Sequence, residues 1–336
     1  MKNSWIGLLI VLLIVSVVGL GASEKQSNGD FILILNKSGN TAWQLEAESG
    51  EVVARYPTGN APHEVAVSPD RSRAVITNYG DQRPGYSLTV IDLQQQKVSK
   101  SIDLEPYGRP HGVQWFSDNR RVVVSVEEKQ AVAVVDIDSG KIVKTIKTNE
   151  RVSHMVELDA DQDRVFVPNL GSGTLSVLDL KKGTVIRTLK TGQGTEGITL
   201  AADRNELWVT NRESDTVMII DTESLDIKHT LKSSEFPIRA EISPDGHWVA
   251  VSNARSSEVS IFGTESKEQV AKVSTEPQAQ ISGVPIGLTF SSDNQRLFVA
   301  NSQANQIVVI DTSRWRVIDR FKTGETPDGI AYFTLP

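Results

Sequence analysis

The segment Pro62-His-Glu-Val-Ala-Val-Ser-Pro-Asp-Arg-Ser-Arg-Ala-Val-Ile-Thr-Asn78 decides how this 336-residue chain folds. Val65 and Val67 alternate with their neighbours, Ser68-Pro69-Asp70 supplies turn chemistry, and Ala74-Val75-Ile76-Thr77-Asn78 returns as a second apolar run. Alternation of period two around a Pro-Asp turn predicts a β-hairpin. The position of His63 recurs at His111, His154, Glu196, Ile238, Ile286 and Asp328, with spacings of 48, 43, 42, 42, 48 and 42 residues. Seven residues after each of the first six stands an aspartate: Asp70, Asp118, Asp161, Asp203, Asp245 and Asp293. A short side chain that bonds its own backbone predicts a tight turn at each.

The second run of each unit ends in Asn at Asn78, Asn169, Asn211, Asn253 and Asn301, with Val126 as the exception in the second unit. A polar loop, a third run closing on Asp92, Asp136, Asp179, Asp221 or Asp311, and a fourth segment such as Lys144-Thr145-Ile146 complete the pattern. Four short strands on a period near 40 predict a propeller blade. A blade buries its faces only by stacking into a ring. Six units run from about residue 59 to residue 322, and the two ends complement each other. Thr326 to Thr334 supplies a first strand, while Phe31–Asn36, Thr41–Glu46 and Val52–Tyr56 supply a second, third and fourth. The expected fold is all-β: a seven-bladed β-propeller of four-stranded antiparallel blades over residues 30–336, its last blade closed by N-terminal strands plus the C-terminal strand. Such closure leaves no open sheet edge.

Leu207-Trp208-Val209-Thr210-Asn211, followed by Thr216-Val217-Met218-Ile219-Ile220-Asp221-Thr222, resembles the repeat of the YVTN family of β-propellers. The pattern stands again at Phe298 to Asn301 with Ile307 to Asp311, and at Phe166 to Asn169 with Leu175 to Asp179. The resemblance covers about residues 30 to 335 and implies a secreted, periplasmic or cell-surface protein. Related propellers include the haem d1 and copper-cluster domains of denitrification enzymes and the seven-bladed lactonases. Val126-Glu127-Glu128 departs from the pattern, so the loop of the second blade is expected to differ. The Gly-His and Trp-Asp pairs of WD40 repeats are absent. A single Ala42-Trp43 with Ser49-Gly50 is similar to a quinoprotein repeat, and reads more simply as an aromatic filling between blades.

Net charge is -7 with no run of Lys and Arg, which disfavours nucleic acid as a partner. There is no cysteine, so neither a disulfide framework nor a thiol-linked lipid anchor is available. Lys2, the apolar run from Trp5 to Leu20 and the small residues Gly21-Ala22-Ser23 predict that residues 1–23 are a signal peptide or, uncleaved, an N-terminal membrane anchor. Either places the remainder outside the cytoplasm, as a periplasmic, secreted or cell-surface protein.

In a four-stranded blade, the loop entering the inner strand and the loop between second and third strands share one face. The positions equivalent to His63 therefore gather at one mouth of the central channel, in the order Asp328, His63, His111, His154, Glu196, Ile238, Ile286. Imidazole and carboxylate are ligands for zinc, copper, nickel or iron. A divalent transition metal held by His63, His111, His154 and Glu196 is one expectation; histidines that merely bond neighbouring loops are the other. Arg239 stands where other units carry Gly112, Gly197, Gly287 and Gly329, and Arg212 directly follows a strand-end Asn. Their guanidinium groups suit a ligand carboxylate or phosphate, or else pair with Glu196 or Asp328. The candidate ligand-binding set is His63, His111, His154, Glu196, Arg212, Arg239 and Asp328.

Two longer loops, Gly80–Tyr86 and Glu276–Ser282, fall on the same face, where insertions in repeat scaffolds often mark binding. His229 and His247 lie outside the alignment and are expected at the surface. No nucleophile elbow or P-loop is present, and no catalytic triad is legible. The reading that results is a non-catalytic binding or scaffold propeller, presenting the channel mouth to a protein, a glycan or a small anionic ligand. The alternatives are a metal-dependent lactonase or lyase, with an ion that polarises a carbonyl, and a tetrapyrrole or metal carrier built on the His and carboxylate ring.

Overall fold

The computed structural model describes residues 29–276 and 282–335. The predicted signal or anchor segment and most of the Glu276–Ser282 loop lie outside the described residues. These form seven four-stranded antiparallel sheets arranged as the blades of a propeller. Blade 1 is built from Pro62–Val67, Arg73–Gly80, Pro84–Asp92 and Lys97–Asp103. Blade 7 joins the inner strand Pro327–Thr334 to Asp30–Asn36, Thr41–Glu46 and Val52–Pro57, which confirms the closure read from the two ends. Phe31 lies opposite Phe333 and Ile34 opposite Ile330 across the join.

The second strands read as near-continuous apolar runs, as in Arg121–Val126, because neighbouring blades cover both faces. Val75, Leu88 and Val90 of blade 1 pack on Val122, Val124 and Ala133 of blade 2, and Ile32 and Ile34 of blade 7 pack on Phe298, Ile307 and Val309 of blade 6. Outer strands have a solvent face, and there Val143, Ile186 and Ile318 are about half exposed. The aspartates act largely as expected: Asp70 accepts from the Ser72 N–H at 3.0 Å, and Asp245 from the His247 N–H at 3.1 Å. Two differ. In blade 3 the turn is held by Asp159 rather than Asp161, and Asp203 lies in a short 3-10 turn, Ala202–Arg204.

Each inner strand pairs unevenly with its neighbour. Pro62 faces Asn78 and Val65 faces Ile76, so His63 and Glu64 together oppose the single residue Thr77. Equivalent shifts place His111 and Gly112 opposite Ser125, and Glu196 and Gly197 opposite Thr210. Such a β-bulge bends the strand and re-aims a side chain. Here it is stabilised by a hydroxyl. Thr77 Oγ1 accepts the Glu64 N–H at 3.0 Å and donates to the His111 carbonyl of the next blade at 2.8 Å. Ser125 likewise accepts from Gly112 at 2.9 Å and donates to the His154 carbonyl. Thr210 and Ser252 repeat the contact to the carbonyls of Ile238 and Ile286. A Cβ on Gly112 would stand 2.6 Å from the Met155 backbone, so this close approach of blades 2 and 3 requires glycine. Blade 3 departs from the regular hairpin: its inner strand shrinks to Glu157–Leu158 plus a bridge at Ser153. The partner strand there carries Pro168, which has neither the hydroxyl nor an N–H to pair.

Beneath the bulges, inner-strand residues from all seven blades enclose a channel cavity of about 330 Å³. Its wall includes Glu64, Gln114, Glu157, Arg239, Glu241 and Thr289. Burial pushes the Glu157 carboxyl up to about 8, and a hydrogen bond from Gln114 at 3.3 Å offsets this only in part. Glu241 is also pushed up to about 8, first by burial and then by the charges of Glu157 and Glu64.

Two outcomes follow. Burial of Ile330 and Phe333 is worth roughly 1.5 to 3 kcal/mol each, against about 5 to 15 kcal/mol for a typical domain. Deleting residues 327–336 is therefore expected to lower the thermal midpoint by about 10 °C or more and to admit protease; an unchanged midpoint refutes the closure's role. For Glu157 and Glu241, the folded chain retains protons that the unfolded chain releases near the ordinary carboxyl value of 4.5. The contribution of this pair to stability is thus fully present at acid pH and is lost as pH rises towards about 8. The double substitution Glu157→Gln, Glu241→Gln should leave the midpoint at pH 5 nearly unchanged and raise it by several degrees at pH 8.5. Parallel pH profiles for parent and variant would contradict the assignment.

Candidate functional site

The bulges turn the His63-equivalent side chains into the channel mouth, where they touch in sequence. The His63 and His111 rings stand 4.1 Å apart, nearly perpendicular, and the His111 and His154 rings 3.6 Å apart. His63 Nδ1 donates to Asp328 Oδ2 at 2.6 Å, and Lys37 Nζ donates to the same oxygen at 3.2 Å. His154 Nε2 meets Glu196 Oε1 at 3.2 Å. Glu196 in turn accepts from Arg212 at 2.8 Å and from Arg239 at 3.0 Å. All seven residues of the candidate set thus join one network, and both arginines pair with Glu196.

A second ring surrounds the first. The residue that follows the strand-end position is Lys37, Tyr79, Glu127, Leu170, Arg212, Ala254 or Ser302 in successive blades. Four of these carry the chemistry: Glu127 Oε1 is 2.7 Å from His154 Nδ1, Tyr79 donates its hydroxyl to Glu127 Oε2 at 2.7 Å, and Lys37 and Arg212 act as above. Arg109 stacks over the Tyr79 ring with 4.9 Å between guanidinium carbon and centroid. Sequence comparison noted only Arg212 of this ring. Glu127 sat in the departure of blade 2, where Glu127–Lys129 forms a 3-10 turn that projects it inward. Glu64, from the inner strand, also joins by binding Arg239 across the channel. His229 and His247 lie exposed on the outer surface.

The charges are arranged in compensating pairs, which buried ions require. Burial alone would strip the His154 proton, but hydrogen bonds to Glu127 and Glu196 outweigh it and hold the imidazole above its ordinary range. Burial would likewise raise Glu196, yet His154, Arg239 and Arg212 bring it down to about 2. Asp328 is depressed as well: burial is overcome by His63, Lys37 and Arg239. His111 is the exception. Burial, reinforced by the charges of His154, His63, Arg239 and Lys37, holds it well below its ordinary value. Neither of its ring nitrogens has a hydrogen-bond partner among the described residues.

The four residues expected to bind a metal do not present their donors to a common point: His63 is engaged by Asp328, and Glu196 by two guanidinium groups. Among the described residues, one donor from each of His111, Glu127 and His154 lies within 4.8 Å of the others. The remaining arc, Ile238 and Ile286 with Ala254 and Ser302, carries no charge. At these two positions the mouth is polar over blades 7, 1, 2, 3 and 4 and uncharged over blades 5 and 6, while blade 5 sends Arg239, the neighbour of Ile238, into the same network.

A model of the family described as "Lactonase, 7-bladed beta-propeller" matches residues 36–316. Solved structures with the same fold include hydrazine synthase of Kuenenia stuttgartiensis, at TM-score 0.71 and 18% identity over 80% of this chain and 88% of that one. A functionally unknown protein from Desulfotomaculum acetoxidans gives TM-score 0.74 and 16% identity over 90% and 98%. A "putative 6-phosphogluconolactonase" from Bacteroides fragilis gives 0.72 and 16% over 92% and 99%. No curated protein sequence matches the chain. The structural likenesses concern the fold, whereas the family match spans both rings of the mouth except Asp328. The chain belongs to the seven-bladed β-propeller lactonase family.

Proposed function

We propose that the protein hydrolyses a small anionic lactone at the channel mouth. The observation that carries this reading is the His154 imidazole, fixed between Glu127 and Glu196 and backed by two guanidinium groups. Both of its ring nitrogens are engaged by carboxylates, so its role is to hold Glu196, and with it Arg212, at a defined place; the partly exposed Arg212 and Lys37 are the donors able to stabilise charge that develops on a carbonyl oxygen when water adds. Arg212 and Lys37 retain about 27% and 31% side-chain exposure, so each keeps surface for a substrate carboxylate or phosphate. The uncharged side chains of Ile238, Ala254, Ile286 and Ser302 offer contact for the carbon skeleton of the substrate. Family membership and the name of the Bacteroides fragilis protein favour this chemistry over a purely scaffolding role. The repeat's resemblance to YVTN propellers and the N-terminal apolar segment favour action outside the cytoplasm.

The test is turnover of a lactone panel by the purified full chain: neutral, carboxylated and phosphorylated sugar-acid lactones, each corrected for spontaneous opening. An anionic member should be preferred. His154→Gln is expected to lower kcat by about 100-fold, because Glu196 and with it Arg212 lose their fixed position. Arg212→Gln should raise KM by about 10-fold or more, as a charged hydrogen bond of 1.5 to 3 kcal/mol implies, with a smaller effect on kcat. A folded protein that accelerates no member of the panel overturns the proposal.

A further inference from the structure

The orphaned imidazole of His111 has a use that lactone chemistry does not assign. Its ring is fully buried, and both nitrogens face neighbours without a hydrogen bond among the described residues. Leaving a buried polar group without a hydrogen bond is destabilising, and such a group in an otherwise balanced network calls for a partner. The groups beside it are metal donors. A nitrogen of His111, a nitrogen of His154 and a carboxylate oxygen of Glu127 lie within 4.8 Å of one another.

We infer that His111, His154 and Glu127 form a binding site for one divalent transition ion of the zinc class. Two imidazoles and one carboxylate are a donor set for a borderline ion. Donors bonded at about 2.0 to 2.1 Å in a tetrahedron stand roughly 3.3 Å apart, so closure needs side-chain shifts of about an ångström or so. The ion takes the place of the proton between His154 Nδ1 and Glu127 Oε1, now 2.7 Å apart. The opposite nitrogen, Nε2, then donates to Glu196, itself held by Arg212 and Arg239. That carboxylate–imidazole arrangement is the support that orients metal-bound histidines.

The backbone is already set. Ser125 accepts the Gly112 N–H and donates to the His154 carbonyl, and Gly112 also donates to that carbonyl at 3.0 Å. The two histidines are thereby fixed to one another before any ion arrives. His63 is left out because it is not among the residues whose donors come within 4.8 Å of one another. The carboxylates of Glu127, Glu196 and Asp328 offset the added charge beside Arg239 and Lys37.

The inference does not rest on the lactone reading, and its test uses no substrate. Calorimetric titration of the metal-stripped full chain with Zn²⁺ should show one saturable site per chain and a rise in thermal midpoint with zinc concentration. His111→Gln and Glu127→Gln should each weaken binding by at least about 100-fold, beyond the 10 to 100-fold typical of supporting residues, while His229→Gln and His247→Gln leave it unchanged. Co²⁺ bound to the unsubstituted protein supplies a second readout, through visible bands of nitrogen and oxygen ligation, should a substitution unfold the chain. Absence of saturable binding and of cobalt bands, or zinc affinity unaltered in folded His111→Gln, overturns the site. An inactive protein that binds zinc defeats only the lactone proposal; an active one that binds none defeats only the metal site.

Discussion

The mouth depends on a hydrogen bond repeated in four of the seven blades. A hydroxyl on the second strand, Thr77, Ser125, Thr210 or Ser252, fills the bulge of its own blade and bonds the carbonyl of the next. Two consequences come from one contact. The bulge aims a side chain at the channel mouth, and the link to the next carbonyl fixes the spacing between successive aimed side chains. Ring geometry and site geometry are therefore the same variable. Blades 6 and 7 carry Ala300 and Leu35 at this position and keep full inner strands, whereas in blade 3, with Pro168 there, the inner strand is cut short just where His154 approaches both Glu127 and Glu196.

The charges in the mouth are numerous but locally compensated. Each buried anion has a cation in contact: Asp328 with Lys37, and Glu196 with Arg212 and Arg239. Replacing a single member leaves an unpaired buried ion, which costs more than the pair itself contributes. The channel below follows another rule. Among the described residues Glu157 and Glu241 have no ion-pair partner, and they accommodate burial by holding protons instead. A charged layer thus overlies a layer that is largely neutral at neutral pH.

Much of this was legible in the chain. The recurrence of His63 positions and of Asp and Asn markers specified blade number, strand order and the closing of blade 7, because a repeat states the same constraint many times. Inner-ring residues were legible for that reason, since alignment alone brings His63, His111, His154 and Glu196 to one level. Lys37, Tyr79 and Glu127 were harder to see. They occupy one equivalent position, but their types differ so widely that only the geometry shows them acting together. Glu127 looked like a lapse in the repeat, yet the lapse is what lets a carboxylate replace the polar loop start of other blades. The sequence offered Glu196 both as a metal ligand and as a partner of Arg212 and Arg239, and could not choose, because that depends on side-chain reach rather than spacing.

Closure of blade 7 also governs how the site comes into being. Ser38 and Thr326, 288 residues apart in sequence, bond each other at 2.8 Å beside the mouth, and Asp328 and Lys37 meet there. The entropic cost of joining such distant segments grows only slowly with length, but it falls on a single event. Until that event the chain has a row of blades and only part of a mouth. Anything that binds across Lys37, His63 and Asp328 would act as a clasp, coupling occupancy to the topological integrity of the whole ring.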